Sequence, residues 1–358
     1  MQTAIPYMQL RGGSSKGLFF NAADLPANEE ERNKIILAAM EGNGAGDLRQ
    51  IDGLGGATSL TSKVAIISKS TNPAADLDYL FLQVVIGKGQ ISTTQTCGNI
   101  LAAVVPFAIE AGMIAAGDAT TAAKVKIVNT GGICEVTVQT PGGVVNYAGN
   151  AKVDGVPGTA APVLCNYLET QGSTCGALLP TSNVKDIIDG IEVTCIDNGM
   201  PSVILNAADF NITGYETPEA LNNNATLKKK IESIRLQAGP LMKLGNVTDK
   251  TIPKMCLIAP PANGGVLNTR TFIPHVCHEA IGVLGAVSVA AAIFITGSVA
   301  NEVAALQTTN HLVSIEHPTG EFSIQFEINY REDSIVFEKA GVIRTARLLS
   351  KGFVYIPV

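Results

Sequence analysis

The chain has 358 residues, of which 46% are hydrophobic and only 16% charged, against roughly 25% charged in an average soluble domain, so a disordered chain is excluded. With 36 Gly, 17 Pro, no Trp and 5% aromatic residues, it has the length for two domains with cores of small aliphatic side chains. The net charge of −6, with no basic run beyond Lys228-Lys229-Lys230, argues against a nucleic-acid partner, and seven irregularly spaced cysteines fit reduced thiols better than a disulfide framework or a zinc site.

The first residues, MQTAIP, have neither a basic nor an apolar leader element, so a cytoplasmic protein is expected. Next comes Arg11-Gly12-Gly13-Ser14-Ser15-Lys16-Gly17, whose glycines, hydroxyls and cations suit an anion but lack the spacing of a P-loop. A Gly/Ser/Thr loop through Gly55, Gly56 and Ser59 then leads into an apolar strand opened by Lys63. A lysine there is partly desolvated, which suits it to act as a base. The bland alternative is a strand-edge lysine with its head in water.

Cys97-Gly98-Asn99 opens an apolar, small-residue stretch that predicts a helix over 97–109. The segments 124–128, 133–139, 312–316 and 322–328 alternate with period two between Pro/Gly turns and predict strands. Residues 280–300 carry no charge at all, a length that could span a bilayer. Gly282, Gly285, Ser288, Thr296, Gly297 and Ser298, and the absence of flanking Lys, Arg or an aromatic belt, favour instead a helix buried on all sides in a globular core. Arg270, His275 and His278 surround Cys277 just before this run. No metal is expected there, because Gly282 occupies the second His position of an H-E-x-x-H pattern.

The two halves repeat. Cys97 and Cys277 each precede an apolar stretch, 180 residues apart; Phe20-Asn21-Ala22-Ala23-Asp24-Leu25 resembles Leu205-Asn206-Ala207-Ala208-Asp209-Phe210 at 185. Ser62-Lys63-Val64-Ala65-Ile66-Ile67 resembles Pro253-Lys254-Met255-Cys256-Leu257-Ile258 at 191, and the turn at 140–143 resembles that at 317–320 at 177. Four matches in one order imply a duplicated domain. The expected fold is α+β: two similar domains, 1–183 and 184–358, each a β-sheet wrapped around a central buried helix. The final strand is free to pack across onto the first domain, and the active site is expected in the cleft between the halves. A helix N-terminus attracts carboxylates and favours a thiolate, so Cys97 and Cys277 are both placed for proton transfer beside an anion.

Taken together, the glycine loop at 11–17, Ile51-Asp52-Gly53-Leu54-Gly55-Gly56, Leu60-Thr61-Ser62-Lys63-Val64-Ala65, Cys97-Gly98-Asn99, Thr194-Cys195-Ile196-Asp197-Asn198-Gly199-Met200-Pro201 and Ile273-Pro274-His275-Val276-Cys277-His278 resemble the PrpF family. The resemblance covers nearly the whole chain. It implies a diaminopimelate epimerase-like fold and cofactor-free proton transfer on an unsaturated di- or tricarboxylate: tautomerisation of 4-oxalomesaconate, or an allylic shift of the aconitate or methylitaconate kind. It also implies acid–base roles for Lys63 and Cys97. Substrate contacts are expected from Arg11, Ser14, Ser15, Lys16, Ser59, Gly98, Asn99, Met200, Arg270, His275, Cys277 and His278, where Ser14 stands in place of the more usual threonine. No cofactor, metal or membrane is expected, and a homodimer is left open. Two other classes compete: a racemase using Cys97 and Cys277 as a thiol pair, and a non-catalytic metabolite-binding protein.

Overall fold

The computed structural model describes residues 1–42, 46–93, 96–305, 311–331 and 334–357. The chain divides into two compact units, Met1–Leu168 with Ile343–Val358, and Glu169–Val342.

The first unit contains β1 (Gln2–Gly12), β2 (Ser15–Asn21), β3 (Lys63–Lys69), β4 (Leu77–Val85), β5 (Gln90–Ser92), β6 (Thr120–Ile127), β7 (Ile133–Gln139) and β8 (Pro162–Leu168). Their order is β1-β2-β3-β4-β6-β7-β8 with β5 beside β4. Three helices accompany them, α1 (Glu29–Glu41), α2 (Gly98–Leu101) and α3 (Val104–Glu110). On one face of the strands, α1 lays Ile36, Ala39 and Met40 on Leu18, Phe20, Val64, Ile66, Leu82 and Val84. On the other, α2 meets β1 and β2 while α3 meets β3, β6 and β7. Ile100, Leu101, Val104, Val105 and Phe107 are buried there, with the Phe107 ring 5.8 Å from that of Phe19. Covering both faces explains why β3 reads as a continuous apolar run rather than an alternating one.

The second unit contains β9 (Asp186–Ile188), β10 (Ile191–Asp197), β11 (Pro201–Asn206), β12 (Lys254–Ala259), β13 (Leu267–Phe272), β14 (Leu312–His317) and β15 (Gly320–Arg331), in sequential order across its sheet. Its helices are α4 (Pro218–Asn223), α5 (Ala225–Leu241), α6 (Val283–Ile293) and α7 (Val299–Val303). The central helix is α6, set against β10, β11, β14 and β15, and α5 covers the opposite face with Leu227, Ile231, Ile234 and Ala238. The last strand, β16 (Ser334–Pro357), divides: residues 334–342 pair with β15, and residues 346–357 pair with β1.

The repeat is visible in strand pairing. β1/β2, β3/β4 and β6/β7 are antiparallel while β2/β3 and β4/β6 are parallel. The series β10/β11, β11/β12, β12/β13, β13/β14 and β14/β15 alternates in the same way. Gly17 lies opposite Lys63 as Ser202 lies opposite Lys254. At the ends of β2 and β11, Asn21 and Asn206 each accept an amide two residues on, at 3.1 Å in both cases. This is the short side-chain cap that favours Asn at such a position.

Three expectations need correction. The helix expected over 97–109 is broken at Ala102-Ala103, because Pro106 has no N–H for the Ala102 carbonyl and its ring crowds that turn. The uncharged run yields an eleven-residue α6 followed by a turn at Gly297, φ +80°, and α7. Among the described residues no helix is long and apolar enough to cross a membrane. The polar interruptions are structural pins: Ser288 Oγ donates to Met200 O at 2.8 Å and accepts from Asn198 N–H at 3.0 Å, while Ser298 Oγ donates to Ala292 O at 2.6 Å. Finally, the units part after Leu168 rather than after residue 183. Residues 169–182 are tied to β10, since the amides of Thr174 and Cys175 donate to Asp197 Oδ2 at 2.7 Å and Asp197 N–H donates to Leu178 O at 2.8 Å.

Candidate active site

Side chains alternate across a strand, so the registers of β2, β3 and β4 sort their residues onto two faces. Ser15, Gly17, Lys63, Tyr79, Phe81 and Gln83 share the face that carries α2 and α3. Lys63 is buried, and its Nζ donates to Gln83 Oε1 at 2.8 Å and stands 5.1 Å from the centre of the Phe81 ring. Gln83 is itself oriented, its Nε2 donating to Ser62 O at 2.9 Å and Ser59 O at 3.3 Å. Behind it, Ser62 Oγ donates to Gln50 Oε1 at 2.7 Å, and Gln50 Nε2 donates to Glu41 Oε1 at 3.2 Å. The loop before β3 is thus stitched to α1, and Lys63 enters the strand from a fixed position.

Cys97 is partly exposed and occupies the N-cap of α2, in extended backbone with φ −130° and ψ 104°. Its carbonyl accepts from Leu101 N–H at 3.0 Å and from Tyr79 Oη at 3.1 Å. Burial pushes the Tyr79 phenol well above its usual range, so it stays a donor. Three successive inward positions of β4 therefore serve the two predicted acid–base residues: Gln83 holds Lys63, Phe81 lies beside it, and Tyr79 holds Cys97. None of the three stood out in the sequence. The available signal was a single Gln among the otherwise apolar and aromatic inward positions of β4.

The glycine loop is pressed onto the start of α2. A Cβ on Gly12 would overlap the Asn99 carbonyl, and one on Gly13, φ +49°, would overlap the Asn99 side chain. Asn99 Nδ2 donates to Ser14 Oγ at 3.1 Å. Ser15 is buried, and its hydroxyl, like that of Thr96, has no hydrogen-bond partner among the described residues. Ser14, Ser15, Cys97, Gly98 and Asn99 are thus gathered at one place, where the amides of the first turn of α2, which have no acceptor within the helix, and the Ser15 hydroxyl can receive an anionic group.

Other predicted residues are not gathered there. Arg11 and Lys16 alternate with Gly12 and Ser15 and so fall on the opposite face of the sheet. Ser59 is exposed and contributes only its carbonyl to Gln83. In the second unit, Cys277 does not open a helix: it is buried in a bridge to Phe272, and α6 begins at Val283 with Gly282 as its cap. The intervening chain is held by His278, whose N–H donates to Thr271 O at 2.8 Å and whose Nδ1 accepts from Ala280 N–H at 2.8 Å. Burial pushes the Cys277 thiol up to about 11 in spite of nearby Arg270. A two-thiol mechanism needs Cys277 as a thiolate in one direction of turnover and as a thiol in the other, and burial favours only the thiol. Cys277→Ala is expected to lose less than about tenfold in turnover, because no acid–base group worth roughly 10²–10⁴-fold is removed; steady-state kinetics checks this.

Arg270 is committed to structure, donating to Glu216 O at 2.6 Å, Asn268 Oδ1 at 2.7 Å and Thr269 O at 2.8 Å. Met200 offers its carbonyl to the Ser202 and Ser288 hydroxyls. His275 is exposed, 3.5 Å from Glu232. The residue that sequence reading passed over is Lys254, the counterpart of Lys63 in the repeat, which burial pulls down to about 8, with Cys256 opposing and Arg235 reinforcing. Among the described residues no cluster of three or more His, Cys, Asp or Glu is placed to hold a metal ion.

Comparison with known proteins follows the same lines. Residues 2–357 match the PrpF protein family over essentially the whole chain. The chain belongs to the PrpF family. This PrpF chain is 53% identical to the (4E)-oxalomesaconate Δ-isomerase of Novosphingobium sp., over 98% of its length and 97% of the relative's. It is 50% identical to the 4-oxalomesaconate tautomerase of Pseudomonas putida, over 99% and 97%. The crystal structure of a methylitaconate Δ-isomerase superposes with a TM-score of 0.88 at 33% identity, covering 99% of this chain and 96% of that one. Family and α+β fold are therefore as the motifs implied, and these relatives are isomerases.

Proposed function

We propose that this PrpF isomerase moves a proton on an unsaturated tricarboxylate of the 4-oxalomesaconate type, with no cofactor. The observation that carries the reading is the wall formed by β4, which positions Lys63 through Gln83 and Cys97 through Tyr79. Lys63, as the amine, takes a proton from the carbon next to the unsaturated system and becomes an ammonium. The C–H electrons spread over the conjugated C=C and C=O as a dienolate. Cys97, or a water it positions, returns a proton at the other end of the unit, so the step is redox-neutral and the products differ only in where the proton and double bond lie. The α2 amides and the Ser15 hydroxyl are the donors available to a substrate carboxylate or to the developing negative charge, which is where fixed dipoles contribute most.

Two relatives named for oxalomesaconate at 50–53% identity, against 33% for the methylitaconate enzyme, support the choice of substrate. The experiment is turnover in deuterated buffer followed by proton NMR. Deuterium is expected at the migrating position of product and, more slowly, of recovered substrate. Tight binding of 4-oxalomesaconate with no exchange and no spectral change would replace this reading with that of a metabolite-binding protein.

A further inference from the structure

The face of the first unit opposite Lys63 carries an unexplained arrangement of charge. In the registers of β2, β1 and β16, Lys16 lies directly opposite Arg11, and Arg11 directly opposite Arg347. Three cations thus stand in one row across three adjacent strands, where facing side chains are roughly 4.5–5.5 Å apart at Cβ and like charges are destabilising. Among the described residues no ion pair with a carboxylate involves any of the three. Arg11 is half-buried and fixed rather than neutralised, its Nη1 donating to Gly13 O at 2.8 Å, Thr345 O at 3.1 Å and Thr345 Oγ1 at 2.9 Å. Burial and then Arg347 lower its affinity for the proton, as expected for a cation held close to another cation.

These cations line a pocket of about 510 Å³, and none of the described residues that line it is acidic. Tyr147, Thr159 and Thr345 add hydroxyls to the wall. The volume is that of a metabolite site rather than of a single bound ion. We propose that this pocket is a second anion site, distinct from the one at Lys63 and Cys97, that takes a small oxyanion bearing two or more negative charges. Such a ligand would contact all three cations through charge-assisted hydrogen bonds and remove the repulsion along the row. Arg347 is the exposed member of the row.

Isothermal titration of the full chain with citrate and, separately, with pyrophosphate tests the proposal. One equivalent of at least one probe is expected to bind. Binding of citrate alone identifies a carboxylate site, of pyrophosphate alone a phosphate site, and of both a site for multiply charged oxyanions in general. Arg347→Gln and Lys16→Gln should each weaken binding about tenfold or more, in keeping with loss of one charge-assisted contact. Arg347→Gln should also keep the isomerase kcat and KM, and should raise the melting temperature in low-salt buffer free of multivalent anions. Failure of both probes to bind at millimolar concentration overturns the proposal. So does native affinity in both charge variants, or a loss of affinity in Arg347→Gln matched by an equal rise in KM for the isomerisation substrate.

Discussion

Replacing Lys63 with alanine is expected to lower kcat for the isomerisation by about 10²–10⁴-fold, the usual worth of a positioned general base. Lys63 is buried on the α2 face, with its Nζ oriented by a glutamine whose own amide is held by three backbone carbonyls. Removing the amine leaves Gln83 Oε1 without this donor, which costs about 1–3 kcal/mol. The variant should therefore melt a few degrees earlier but still fold. Lys63→Gln separates the two effects, since its amide can still donate to Gln83 while offering no base. Both variants should lose turnover alike, deuterium exchange into recovered substrate should vanish in both, and added ethylamine should partly restore Lys63→Ala. Activity within tenfold of native in either variant would remove Lys63 from the chemistry.

The second large effect is expected at Cys97. Cys97→Ser should leave stability unchanged or slightly improved, because this position is an N-cap with no side-chain cap bond, and serine is a preferred cap. A loss of about 10²-fold or more in turnover is then chemical in origin. The diagnostic readout is the half-reaction. If Lys63 removes the first proton and Cys97 supplies the second, Cys97→Ser should still exchange deuterium into substrate while forming product slowly. Loss of exchange together with product formation would instead make Cys97 part of the first step.

Much of the fold was legible because it rests on local rules. The repeated segments 20–25 and 205–210, 62–67 and 253–258, and the alternating strands β6, β7, β14 and β15 follow from short patterns in each half. Where local rules compete, reading was less secure. Pro106 was visible in the sequence, yet a run of small apolar residues suggested one continuous helix across it. Cys277 was placed at a helix start by analogy with Cys97, but the bridge to Phe272 and the His278 bonds hold five further residues outside α6.

What the sequence by itself determined is the family, the duplication, and the identity of Lys63 and Cys97 as the residues worth testing, because each lies inside a contiguous motif. What only the tertiary structure decided is which neighbours share a face. Ser15 and Lys16 are adjacent in the chain, yet one looks toward Asn99 and the other toward Arg347, because side chains alternate and only strand pairing says which direction is inward. The supporting residues Tyr79, Phe81 and Gln83 lie on another strand, and Gln50 and Glu41 further away still. Their contacts join residues 9 to 24 positions apart, and no local pattern encodes such distances, which arise only when the sheet and its helices close around one another.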